Sequence, residues 1–316
     1  SPGYCALSIL FTDWSRSGRA DLRVSNDRHY YVRDGSEQLW AMADTPRLYT
    51  REDGWAHYAL WGMGIASRDL NGDGYNDVML TSMGDQKLQF FDADVAGPVY
   101  RNAPFDAGAS AHRPYTGGDG RPSTGWHVAF GDVQNDGLDD IFIAKGNVDQ
   151  MPDAALDDPN NLLLQGGDGR FAEVGEQAGI DSMVRGRGAA LVDLNRDGLL
   201  DIVVNNRRAP LELYQNRTRG GNWLRLAPRQ SGINPDAIGA YIELRSSDRV
   251  WSREVTLGGG HAGGSLLPQH VGLGATEQVE VRVIWTDQVV SSWHPVAANQ
   301  SVRLHRDGSS LTIEAY

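Results

Sequence analysis

Nine-residue acidic loops carry the most specific chemistry in this sequence. Four segments align without gaps: Asp13-Trp-Ser-Arg-Ser-Gly-Arg-Ala-Asp21, Asp69-Leu-Asn-Gly-Asp-Gly-Tyr-Asn-Asp77, Asp132-Val-Gln-Asn-Asp-Gly-Leu-Asp-Asp140 and Asp193-Leu-Asn-Arg-Asp-Gly-Leu-Leu-Asp201. Positions 1, 3, 5 and 9 present side-chain oxygens, and the carbonyl of position 7 can complete the ring. Calcium requires such a set, six to eight oxygens at about 2.3–2.6 Å. The expected ligands are Asp69, Asn71, Asp73, Tyr75 (by its carbonyl) and Asp77; Asp132, Gln134, Asp136, Leu138 and Asp140; and Asp193, Asn195, Asp197, Leu199 and Asp201. Asp13, Ser15, Ser17, Arg19 and Asp21 would form a fourth site, weaker because serines stand where stronger ligands are expected. Gly at position 6 permits the positive backbone angle that wraps the loop.

Two rival readings of such a string are an EF-hand and a plain turn. An EF-hand needs an acid at position 12 and flanking helices. Position 12 is Leu80, Ile143 and Val204 in the three stronger loops, inside apolar runs, so that reading fails. Asp, Asn and Gly do form ordinary turns, but three copies at matched spacing favour a cation. Magnesium suits these loops less, because it prefers rigid octahedral sites and retained waters.

The elements that must position the loops repeat with them. The first aspartates lie 69−13 = 56, 132−69 = 63 and 193−132 = 61 positions apart, room for one four-stranded antiparallel unit per repeat, the size of a propeller blade. A small or apolar stretch precedes each loop (Ala6 to Phe11, Gly62 to Ala66, Trp126 to Phe130, Arg187 to Val192). Strands follow at Leu22 to Val24, Val78 to Leu80, Ile141 to Ala144 and Ile202 to Val204. Residues 102–125 and 149–159 read as inserted loops. The repeats end near Asn216, giving blades over 1–216 and a second domain over 217–316. Its expected strands are Trp223 to Leu226, Ile238 to Leu244, Arg249 to Leu257, Val279 to Trp285, Val289 to Trp293, Ser301 to Leu304 and Leu311 to Ala315, enough for a small β-sandwich. The expected fold class is all-β.

Motifs and order now support a resemblance. Gly64 to Asp77 and Arg187 to Asp201 resemble FG-GAP/VCBS repeats, the blade unit of integrin-α-type β-propellers. Asn161 to Phe171, Glu173-Val and Ala178-Gly179 resemble the linker of the cartilage acidic protein (ASPIC/UnbV) family. Gly221 to Leu226, Asp236 to Ala240, Arg253 to Val255, His270 to Gly274 and Val279 to Trp285 resemble the ASPIC/UnbV domain. Thr286-Asp287-Gln288 departs from it locally, where the family has a Pro- and Gly-containing turn. The resemblance implies blades of a larger ring, since related propellers usually have seven. The missing blades would come from a longer chain or from a partner chain; a closed four-bladed ring is the less favoured alternative.

The formal net charge of −12 argues against nucleic acid and anionic membranes, and suits carboxylates that hold cations. No apolar run reaches membrane-span length, and any secretion signal is expected to lie outside this sequence. Cys5 stands alone, excluding an internal disulfide framework; a buried thiol or an intermolecular link is expected. His29, His57, His112, His127, His261, His270, His294 and His305 form no H-E-x-x-H or H-x-H motif, and no G-x-S-x-G elbow occurs. His127 is expected to be structural, and Gly258 to Gly264, around His261, to form a flexible hairpin. Asn216 and Asn299 fit the N-glycosylation pattern. The functional expectation is a secreted, periplasmic or cell-surface adhesion or assembly module, binding a protein or glycan on the propeller's loop face, including the inserts at 102–125 and 149–159. Lyase or dehydratase chemistry on a sugar is the enzymatic alternative, with no residue singled out for it.

Overall fold

The computed structural model describes residues 4–27, 35–110, 114 and 119–316. His29, His112 and parts of the 102–125 insert lie outside them. Each repeat folds as an antiparallel meander. Blade 1 consists of β1 (Ala6–Thr12), β2 (Asp21–Asn26), β3 (Gln38–Ala41) and β4 (Arg47–Leu48), and blade 2 of β5 (Gly62–Arg68), β6 (Asp77–Ser82), β7 (Lys87–Phe91) and β8 (Tyr100–Asn102). Blade 3 consists of β9 (Gly125–Gly131), β10 (Asp140–Lys145), β11 (Asn161–Gln165) and β12 (Phe171–Glu173), and blade 4 of β13 (Gly186–Val192), β14 (Asp201–Asn206) and β15 (Glu212–Tyr214). Position 9 of every acidic loop is thus the first residue of its blade's second strand. The innermost strands β1, β5, β9 and β13 stand side by side in that order. The β1–β2, β5–β6, β9–β10 and β13–β14 ladders each carry one register shift near the end away from the acidic loop.

Blades pack face to face through apolar residues on alternating strand positions. Leu10, Leu39 and Tyr49 meet Ile65, Val78 and Leu80 between blades 1 and 2. Met79 and Leu88 meet Val128, Ile141 and Leu163 between blades 2 and 3. Phe142, Ala144 and Leu162 meet Ile202 and Val204 between blades 3 and 4. The outward faces of the end blades stay open: Ile9 and Phe11 are 48% and 39% exposed, Leu211 and Leu213 55% and 62%.

The second domain adds β16 (Asn222–Arg229), β17 (Tyr241–Arg245), β18 (Val250–Glu254), β19 (Leu257–Gly258), β20 (Gln269–Gly274), β21 (Gln278–Ile284), β22 (His294–Ala297), β23 (Gln300–Asp307) and β24 (Ser310–Ala315). Sheets of order β20-β16-β23-β24 and β18-β17-β21-β22 enclose a core including Trp251, Val281, Val283, Trp285 and Leu304. Among the described residues the only α-helical turn is Gly175–Ala178.

Three expectations need correction. Val289 to Trp293 is not a strand. It follows a turn in which the Gln288 and Trp285 amides bond back to the carbonyls of Trp285 and Val289, and the strand begins at His294. Cys5 is exposed rather than buried. The glycine-rich run is not a free hairpin: β19 pairs with Leu10 and Phe11 of β1, and Gly260 bridges Ile65 of β5. Residues 256–268 leave the sandwich and run as a strap along the inner strands of the blades. A cavity of about 650 Å³ lies between strap and strands, with His127, Arg187, Arg225 and His261 among its lining.

Candidate metal centres

Two backbone features build each acidic loop. Residues at position 4 (Arg16, Gly72, Asn135, Arg196; φ 56, 77, 55 and 64°) and position 6 (Gly18, Gly74, Gly137, Gly198; φ 84, 89, 92 and 86°) are left-handed. Position 6 is glycine throughout because L side chains disfavour that region. The two reversals aim backbone N–H groups at the position-1 carboxylate. Asp13, Asp69, Asp132 and Asp193 each accept from the position-6 amide, at 2.6, 3.0, 2.6 and 3.1 Å.

Position 9 does a different job. Its Oδ1 accepts a backbone N–H from the third strand or from one or two residues beyond it: Met42 for Asp21, Phe91 for Asp77, Gln165 for Asp140 and Asn216 for Asp201. Oδ2 of Asp77, Asp140 and Asp201 accepts the position-2 amide of its own loop. This carboxylate therefore clamps loop to blade, a role the ligand pattern did not suggest.

The first loop stands apart. Asp21 Oδ2 takes Trp14 Nε1 and Tyr49 Oη, both at 2.8 Å, and Asp13 Oδ1 takes hydroxyls of Ser15 and Ser17. Arg19 Nε stands 3.6 Å from Asp21. Protein donors here occupy oxygens that a cation would need.

In loops 2, 3 and 4 the position-5 carboxylate accepts from the position-3 amide group: Asn71 to Asp73 at 2.9 Å, Gln134 to Asp136 at 2.5 Å and Asn195 to Asp197 at 2.8 Å. It also accepts the backbone N–H of Tyr75, Leu138 or Leu199. Burial pushes Asp69 up to about 6 and Asp132 to about 7, and Asp77 and Asp140 up to about 8. Repulsion from neighbouring carboxylates adds to each shift. Asp69, Asp73, Asp77, Asp132, Asp136 and Asp140 have no ion-pair partner among the described residues, whereas Arg225 comes within 4.0 Å of Asp193. The donor set suits calcium in kind. As the side chains stand, no three Asp, Glu, His or Cys groups among the described residues gather tightly enough to hold an ion. An ion would have to draw Asp73, Asp136 or Asp197 away from those amide partners.

The sandwich docks on this loop face, a contact invisible to motif reading. Glu254 accepts from Thr12 Oγ1, the Asp13 amide and Asn76 Nδ2 at 2.6–2.7 Å. Arg253 pairs with Asp139 at 2.7 Å, both nearly fully buried. Tyr241 donates to the Asp13 carbonyl, Trp251 Nε1 to the Gly137 carbonyl, and Arg16 to Glu243. His270 Nε2 meets Asn135 Oδ1 at 2.8 Å; since Asn135 Nδ2 donates to Gly198, the ring nitrogen carries the proton. Burial pushes His270 down to about 4, so the ring is neutral. The one sequence signal was position 8, polar as Asn76 and Asp139 but apolar as Ala20 and Leu200.

His127 faces the strap. Its Nδ1 accepts the His261 amide at 3.2 Å, and burial lowers it to about 4. The Asn216 side-chain amide donates to the Val133 and Leu200 carbonyls, an engagement that opposes glycosylation.

The blades and sandwich agree with family comparisons. The FG-GAP-like repeat model matches residues 147–204, and the ASPIC and UnbV model matches residues 230–311. Residues 147–204 thus resemble an FG-GAP-like repeat and residues 230–311 an ASPIC and UnbV domain. Cartilage acidic protein 1 of Xenopus tropicalis is 35% identical to it over 130 residues, 40% of this chain and 18% of that protein. The protein of the same name from Mus musculus is 24% identical over 242 residues, 72% of this chain and 34% of its own. The chain spans at most about a third of these relatives' length. A solved structure described as the Dos1 propeller covers 94% of this chain and 50% of its own, at 10% identity and a TM-score of 0.29, too loose to bear on the fold. No helix among the described residues is long and apolar enough to cross a membrane.

Proposed function

We propose that this chain is a non-enzymatic interaction module of the extracellular or periplasmic space, with calcium in the second, third and fourth acidic loops. The observation that carries the ion is the set of buried carboxylates Asp69, Asp77, Asp132 and Asp140, none of which has an ion-pair partner among the described residues. Ionised together, they would repel one another and bear a desolvation cost. A divalent ion removes both penalties and stiffens the surface on which the sandwich rests. The first loop, already closed by Trp14, Tyr49 and its serines, takes the ion weakly or not at all.

Apolar side chains on the outward faces of blades 1 and 4 support further blades in the assembled protein, from a longer chain or a partner. The propeller surface opposite the docked sandwich is then the part free for ligands. The test is thermal melting with calcium and with chelator, beside elemental analysis of the purified protein. At a hundredfold excess over Kd, calcium should add about 2.7 kcal/mol to stability per site. Superimposable curves and no bound calcium would overturn the reading.

A further inference from the structure

We propose that the end of the blades opposite the acidic loops holds a docking site for an acidic peptide segment that carries an aliphatic side chain. In blades 3 and 4, Arg185, Arg207 and Arg208 point at one carboxylate oxygen, Asp149 Oδ1, at 2.6, 2.8 and 3.9 Å. Arg187 stands close behind, held by the carbonyls of Asn147 and Val148 and stacked 4.0 Å over Trp126. After burial, repulsion from Arg207 and Arg185 is what most depresses its pKa, to about 10. Three guanidiniums thus share a single close carboxylate, with a fourth just behind them, on a chain whose net charge is −12. This local reversal of sign attracts anions. Arg208 is the group left for a ligand: its side chain is 74% exposed and its only ion-pair partner among the described residues lies at 3.9 Å.

Beside the arginines opens a cavity of about 500 Å³, bounded by Asp149 and Arg185 on one side and by Pro152, Leu156 and Met183. Leu156 and Met183 are 46% and 41% exposed. The lining has no aromatic ring, so it offers no platform on which a sugar could stack, whereas an aliphatic side chain fits it. The far rim is not cationic: Arg121 is engaged by Asp119 at 2.6 Å, and Asp157 lies beside it. A bound segment would therefore place its carboxylates at Arg207 and Arg208 and its apolar residue over Met183. The site gives the interaction module proposed above a ligand class. It rests on that reading only in that the chain acts by binding, and it does not depend on the ion.

Fluorescence polarisation of a fluorescein-labelled pentapeptide, two glutamates either side of one leucine, tests it on the intact chain. The expected result is saturable binding that weakens with salt, falls about tenfold or more in Arg208→Glu, and tightens in Asp149→Asn. Replacing the peptide leucine by serine should cost about tenfold. Melting curves establish that both variants fold. Absence of saturable binding, equal binding by Arg208→Glu, or binding of a heparin oligosaccharide without binding of the peptide overturns the proposal. Repeating the titration in chelator separates the readings, since a failed calcium effect on melting would leave peptide affinity unchanged.

Discussion

Glu254 joins three parts of the molecule through one carboxylate, and every partner donates: a hydroxyl from β1, an amide from the first loop and a carboxamide from the second. Glu254→Gln would turn an NH₂ group toward donors. Measured above pH 8 by urea denaturation, it should cost about 1–3 kcal/mol. An unchanged midpoint would mean that Asn76 and Thr12 find other partners. A wider pH dependence follows from burial, which lifts Glu37 and Glu254 to about 7 beside the four raised aspartates. Unfolded carboxyls titrate near pH 4, so between about pH 4 and pH 8 the folded chain binds more protons than the unfolded one. Stability without metal should therefore fall as pH rises through that window. Calcium should flatten or reverse the slope, because its ligands must be ionised. Melting temperatures in chelator that climb from pH 6 to about pH 8 would contradict this assignment. At this scale the sequence showed which residues are special but not all they do: Asp77 and Asp140 read as ligands, while their role as strand clamps depends on Phe91 and Gln165, far along the chain.

Among the elements, the strap is the least expected. Its glycines read as flexibility, yet several are demanded by close approach. Gly260 has φ +62°, and a Cβ there would run into the His127 ring, itself bonded to the next amide of the strap. Gly260→Ala should lift the strap from β5 and β9 and cost about 1–3 kcal/mol, read from thermal melting together with the fluorescence of Trp126, which packs on His261. A neutral outcome would mean that the strap does not contribute to stability. The blade strands were legible because apolar runs follow each acidic loop at nearly constant spacing. Val289 to Trp293 misled because its apolar residues serve a turn and the sandwich rim, where alternation carries no strand.

For the whole molecule, blades and sandwich were each readable from local pattern, but their docking was not. Arg253 with Asp139, Trp251 with Gly137 and His270 with Asn135 are single residues more than a hundred positions apart, and nothing in their local sequence marks the partner. The docked arrangement also fixes an order of events in time. Leu10 and Gly258 are register partners although 258−10 = 248 residues separate them, so the innermost edge of the first blade is finished by nearly the last fifth of the chain. Closing so long a loop is slow. During synthesis the first blade waits with an unpaired edge until the strap emerges, an interval in which that edge is open to pairing with another chain. Once paired, the strap must be withdrawn from β1 and β5 before the sandwich can leave, so separation of the two domains should be governed by an unfolding rate rather than by the affinity of their surfaces.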